Sequence, residues 1–311
     1  MQDRPWQDLG HGITCIDAAY VERGMACFYL LEQDGEYALI ESGTRHSLPG
    51  LLALLQERRI DPGQVRYVIP THVHLDHAGG AGAMLAHFEQ AQLLIHPRGA
   101  RHMVDPAQLV AGAQAVYGAA LFEELYGEVV PVDPARVRQM GDGEGVQLGG
   151  RRLEVRHTEG HARHHFCVWD ERSRGWFTGD MFGVCYPWLR FPAGDFLLPS
   201  TTPTQFDPGA YLASLDLLHD YAPARMYLTH YGAVDYTREK SGLLARQVEA
   251  YRELALTTEG DLQQALADHA LEQVKQYDAS TPEADLRRWL RFDVELNAQG
   301  LALWRERERR A

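Results

Sequence analysis

Pro70-Thr71-His72-Val73-His74-Leu75-Asp76-His77 places four side chains able to ligate a metal within six residues. A solvated loop has no need of so many. The octet follows Val65–Ile69, a short apolar run that reads as a buried strand. Side chains alternate along an extended segment, so His72, His74 and Asp76 project to one side. A helix that begins near His77 turns that residue inward too. A lone histidine is most often a surface or satisfied core residue, but no packing role explains His-x-His-x-Asp-His.

Three later segments extend the pattern: Gly160-His161-Ala162-Arg163-His164-His165 between two strands, Thr178-Gly179-Asp180 at a strand end, and Thr229-His230-Tyr231-Gly232 after the last strand. Each is weak alone, since a strand-terminal Asp or His is structural more often than not. Their joint occurrence behind the octet carries the weight.

With these residues the chain resembles the metallo-β-lactamase superfamily, close to its glyoxalase II-like hydrolases, across residues 11–235. The resemblance implies an α+β fold, a four-layer αββα sandwich with two sheets face to face, helices outside and metals at one edge. It implies that His72, His74 and His161 hold one metal, that Asp76, His77 and His230 hold a second, and that Asp180 bridges them. His165 matches the last histidine of Gly-His-x-x-x-His and is implied as a supporting or substrate-pocket residue.

The ligand types make chemical sense in their own right. Imidazole and carboxylate suit zinc, iron or manganese, so the expected cofactors are two divalent ions, zinc first. Three protein ligands plus a shared carboxylate leave open positions for water, as catalysis requires. Bound water then ionises near neutral pH and attacks a carbonyl or phosphoryl group polarised by the metals. Asp76 is the catalytic residue expected to orient that nucleophile and shuttle its proton, a role as ligand alone being an equal alternative.

Departures from the family pattern narrow the reading. Glu41-Ser42-Gly43 stands where Asp-x-Gly is frequent, which should alter the bonding behind the ligands and not ligation itself. Thr158-Glu159-Gly160 replaces a common Thr-Pro-Gly. Asp180 and His230 lie too close in sequence for the inserted domain of superfamily nucleases. His74 argues against flavodiiron reductases, which carry glutamate there, and Asp180 against classical β-lactamases, which carry cysteine. The expected function is cytoplasmic hydrolysis of an ester, thioester or lactone. The alternatives are a mononuclear-iron, persulfide-dioxygenase-like oxidoreductase, which needs only three ligands, and a metal-containing ligand sensor with little turnover.

The expected partner is a small molecule. Net charge is −13, which opposes nucleic-acid binding, and no apolar run approaches a membrane span. The N-terminal residues are polar (Asp3, Arg4, Asp8), so no signal peptide is expected. Cys15, Cys27, Cys167 and Cys185 lack any C-x-x-C spacing and read as buried reduced thiols. The substrate wall is expected from residues 182–206, where Phe182, Tyr186, Trp188, Phe191 and Phe196 interleave with prolines; packing of these aromatics onto the sheet is an equal alternative. Tyr231 and Tyr117 are further pocket candidates. Of the basic residues only Lys240 and Lys275 are lysine, and the terminal arginines alternate with Glu306 and Glu308 as on a solvated face, so a glutathione conjugate is not expected.

Strand patterns are expected at 12–17, 25–33, 37–40, 65–69, 93–96, 145–148, 152–157, 165–170, 175–178 and 226–229, with Asp34-Gly35 as a hairpin turn. Helices are expected at 49–59, 77–88, 106–127 and 208–221. The catalytic domain is taken as 1–237 and a helical extension as 238–311. In that tail Leu286, Trp289, Leu290, Leu301 and Trp304 read as core packing, with pocket covering or a homodimer interface as the lesser reading. Ser280-Thr281-Pro282-Glu283 reads as the capped start of its last helix.

Overall fold

Alternation along single strands divides this chain into layers. In the computed structural model, which describes residues 4–201 and 204–310, Phe28 and Leu30 of one strand face outer helices while Cys27, Tyr29 and Leu31 face a second sheet. Trp176 and Phe177, adjacent in another strand, likewise part to opposite faces. Side chains with a period of two on doubly covered strands give three apolar interlayers, and three interlayers require four layers.

The first half runs β1 (Trp6–Asp8), β2 (Ile13–Asp17), β3 (Cys27–Gln33), β4 (Glu36–Ile40), α1 (Leu48–Arg58), β5 (Val65–Ile69), α2 (Leu75–Ala78), α3 (Ala81–His87), β6 (Gln92–Ile95), α4 (Pro97–Val104), α5 (Ala107–Tyr117), α6 (Ala119–Tyr126) and β7 (Val137–Gln139). Its seven strands pair in sequence order, antiparallel to β4 and parallel from β4 to β7. Asp34 and Gly35 both have positive φ, as the β3–β4 turn demands. The second half supplies β8 (Gly145–Leu148), β9 (Arg151–His157), β10 (Phe166–Asp170), β11 (Gly175–Gly179), a two-strand ribbon β12–β13 (Arg190–Phe191, Gly194–Asp195), α7 (Pro208–Asp220), β14 (Arg225–Leu228) and β15 (Gly232–Asp235). Six of these strands form the second sheet, in the order β15-β14-β11-β10-β9-β8. Then follow α8 (Arg238–Thr257), α9 (Leu262–Lys275) and α10 (Glu283–Arg310).

The αββα sandwich is therefore as expected, and the helices of the tail begin with α8 at Arg238. Leu286, Leu290, Leu301 and Trp304 share one buried cluster with Trp176, Leu228 and Tyr211, with Trp289 half-buried against it, so the tail and the second sheet have a common core. Several local expectations need correction. The segment 106–127 is not one helix: Gly118, at φ +77°, separates α5 from α6 and leaves Val116 and Leu121 exposed. Residues 77–88 divide at Gly79-Gly80. Ser280 and Thr281 spend their hydroxyls on Asp278, not on the start of α10. Strands β1, β7 and β15 escaped the sequence reading because they are short and only partly buried. All four cysteines are free and buried. Among the described residues no helix is long and apolar enough to cross a membrane. Asp3, Thr202 and Pro203 lie outside the described residues.

Candidate metal centre and cavity

Chain ends at one rim of the sandwich bring all seven expected ligands together. His72, His74, Asp76 and His77 follow β5, His161 sits between β9 and β10, Asp180 follows β11, and His230 follows β14. His72 Nε2 and His161 Nε2 approach His74 Nδ1 at 2.7 and 3.2 Å. Asp76 Oδ2 lies 3.5 Å from His77 Nε2 and 3.2 Å from His230 Nε2. Asp180 stands between the two sets. Its Oδ2 is 3.3 Å from His161 Nε2, and its Oδ1 is 3.2 Å from His77 Nε2 and 3.6 Å from His230 Nε2.

In four of the five histidines the nitrogen turned away from these convergence points finds a partner. His72 Nδ1 meets Thr71 Oγ1, His77 Nδ1 meets Glu41 Oε1, His161 Nδ1 meets the Ser200 carbonyl and His230 Nδ1 meets the Met25 carbonyl. These contacts orient the four rings with Nε2 facing inward, the atom a metal would take from each. His77 Nε2 and Asp180 Oδ1 are buried yet make no well-formed hydrogen bond. Atoms orphaned in this way at a point of convergence fit a cation that they would both face.

Glu41 organises this arrangement from behind. Its carboxylate accepts from Thr71 N (2.9 Å), Thr71 Oγ1 (2.6 Å), His77 Nδ1 (2.9 Å) and Thr229 Oγ1 (3.0 Å). It thereby ties the ends of β5 and β14 together. The sequence pointed to altered bonding behind the ligands here; the fourfold role is what the fold adds. Gly179, at φ +50°, is equally constrained, since a Cβ there would meet Thr71 Oγ1 at 2.4 Å and His165 Nε2 at 2.6 Å.

Electrostatics divide the cluster in two. Burial, reinforced by neighbouring histidines, holds His72 and His74 well below the ordinary histidine range, and burial lowers His161 against the pull of Asp180. These three rings are neutral, ready to ligate. Burial opposes the charge on His230 too, but Asp180 and Asp76 push it up to about 9, and His77 is raised well above its usual value by Asp76, Asp180 and Glu41 despite its burial. Burial favours the protonated form of Asp76, yet His77 and His230 outweigh it and keep the carboxyl below its usual range. The carboxylates here call for positive charge, which bound cations would supply.

A cavity of about 490 Å³ opens over the cluster, with His74, Asp76, His161, Asp180 and His230 on its floor. Of the proposed substrate residues, Tyr186 and Tyr117 line it, whereas His165, Trp188 and Tyr231 do not. His165 is wholly buried beneath the cluster, held by Thr158 Oγ1 at 2.8 Å. Trp188 lies behind Tyr186, its ring 5.0 Å away, and Tyr231 packs on the inter-sheet core. Phe182 and Phe196 pack into the second-sheet core, which settles most of this loop as structural. Instead, α5 supplies Leu109, Ala113 and Val116, and α10 supplies Phe292, Asp293 and Leu296. The tail thus covers the cavity as well as packing the core.

Comparison with known proteins agrees with this fold. Residues 23–230 match the metallo-beta-lactamase superfamily. Acyl-coenzyme A thioesterase MBLAC2 of Homo sapiens is 28% identical over 200 residues, 60% of this chain and 69% of that protein. Two solved structures superpose nearly end to end with a TM-score of 0.67: the metallo-beta-lactamase superfamily protein ST1585 of Sulfolobus tokodaii, at 22% identity over 94% of this chain and 98% of that one, and the metallo-beta-lactamase family protein TTHA1429 of Thermus thermophilus, at 21% identity over 97% and 95%. At such identities the likeness is one of fold.

Proposed function

The chain belongs to the metallo-beta-lactamase superfamily, and on that premise we propose that it is a dinuclear metal-dependent hydrolase of neutral acyl thioesters, with esters and lactones as related substrates. The observation that carries this reading is the pair of donor sets sharing Asp180, one oxygen toward each. His72, His74 and His161 would hold one divalent ion and Asp76, His77 and His230 the other, zinc being the first choice for this donor chemistry. Ions bound there would supply Lewis acidity and a water of lowered pKa. Asp76 faces the cavity with its carboxylate ionised, able to accept the proton of the attacking water. Ser200 Oγ, donating to Asp180 Oδ2 at 3.0 Å, and Glu41, accepting from His77, hold the donors in place before substrate arrives.

The cavity supports an acyl substrate. Its walls are mostly apolar, and among the described lining residues none is lysine or arginine. Such a site favours a neutral acyl group over the carboxylates of glutathione. The similarity to an acyl-coenzyme A thioesterase points to thioesters within that class.

Elemental analysis of the fully loaded protein should find two ions per chain; one would overturn the dinuclear reading. In a panel of thioester, lactone and phosphodiester substrates, kcat/KM should be highest for a neutral acyl thioester. A preference of about a hundredfold for S-lactoylglutathione over a neutral thioester of similar size would overturn the substrate assignment.

A further inference from the structure

One carboxyl in the cavity belongs to neither donor set. Asp293, on α10, lines the wall, and the Tyr186 hydroxyl donates to its Oδ1 at 3.0 Å. Its Oδ2 is buried with no hydrogen-bond partner. Tyr186 in turn stacks on Trp188 at 5.0 Å and stands nearly perpendicular to the His230 ring at 6.4 Å. The carboxyl is therefore fixed beside the metal centre by a loop on one side and the tail on the other. Burial raises it to about 6, with Tyr186 and His230 pulling the other way. Asp76 and Asp180 have histidines, and on our reading metals, to balance them; Asp293 has no lysine or arginine among the described lining residues.

We propose that Asp293 is a specificity-determining residue of the acyl cavity, its charge rejecting acyl groups that carry a second carboxylate and leaving neutral ones as substrates. The proposal rests on the acyl-thioester reading above. Direct contact is unnecessary, because like charges in a partly apolar cavity repel far more strongly than in water. Desolvation alone would also disfavour an anionic acyl group. The preference of the unaltered protein is therefore uninformative by itself, and its change on substitution is decisive.

The test compares hexanoyl and adipoyl thioesters of one neutral thiol, equal in chain length and differing by a terminal carboxylate. Asp293→Asn is nearly isosteric and keeps an acceptor for Tyr186. It should lower the hexanoyl-to-adipoyl ratio of kcat/KM by about tenfold or more, through a gain with adipoyl. Asp293→Glu, which restores the charge, should restore the ratio. Dissociation constants of the matching thioethers, which cannot be cleaved, should move in the same sense. If Asp293→Asn does not fold, Asp293→Ser carries the same expectation. A ratio that stays within about threefold, in turnover or in thioether binding, would make Asp293 a structural residue and overturn the proposal. Absence of turnover with either thioester would instead count against the proposed function, and thioether binding would still decide the role of Asp293.

Discussion

Asp180→Ala is expected to lower kcat/KM by about a thousandfold or more and to deplete both ions, a greater loss than His230→Ala produces. The reason lies in the two faces of one carboxylate. Oδ2 is turned to His161 of the first set and Oδ1 to His77 and His230 of the second, so a single truncation removes a donor from each. Two dications about 3.5–4 Å apart also repel each other strongly, and a shared anion is what makes the pair tolerable. His230→Ala leaves Asp76 and His77 in place and spares the first set, so it should cost one ion and most of the rate. Metal content per chain, measured beside kcat/KM for both variants, checks the order. Retention of both ions and full rate by Asp180→Ala would make that residue a scaffold only.

The sides taken by His72, His74 and Asp76 were legible in the sequence because they are local, whereas the grouping of seven donors into two sets was implied by the resemblance to the superfamily. Strand alternation fixes the sides of His72, His74 and Asp76, and glycine-bearing turns mark where His161 and Asp180 leave their strands. The layering was legible for the same reason, through runs such as Ile13–Asp17 and Val65–Ile69. What the sequence hid was set by contacts between distant segments. Tyr186 and Asp293 meet across 107 residues, and no local pattern on α10 distinguishes the residue facing the cavity from its neighbours in the core. Phe182 and Phe196 look like pocket aromatics in a proline-rich loop, yet α8 to α10 bury them. Glu41 could be seen as a departure from Asp-x-Gly, but its four donors converge only once β4, β5 and β14 are assembled. The break between α5 and α6 hinged on Gly118 against an otherwise continuous helical stripe.

Asp170→Ala should cost about 3–5 kcal/mol of stability while leaving the metal content of the folded protein unchanged. Arg151 and Asp170 are both wholly buried and paired side by side, Nε to Oδ1 at 2.7 Å and the outer guanidinium nitrogen to Oδ2. Arg151 also donates to the His11 carbonyl at 2.9 Å, and Ser173 donates its backbone N–H and hydroxyl to Asp170. The pair therefore ties the β9–β10 hairpin to the segment entering β2 and joins the two sheets. It sits at the start of β9 and the end of β10, whereas His161 occupies the loop at the hairpin's other end. Removing the carboxylate strands a guanidinium in the interior and takes the acceptor from Ser173, without touching any donor of the metal centre. Urea unfolding gives the stability change, and metal analysis of the folded fraction gives the second half of the expectation. Replacing both partners together, Arg151→Met with Asp170→Leu, should recover most of the loss, since the pair's desolvation cost offsets much of its attraction. A loss below about 1 kcal/mol in Asp170→Ala would mean that water reaches the guanidinium and that the pair does not join the sheets.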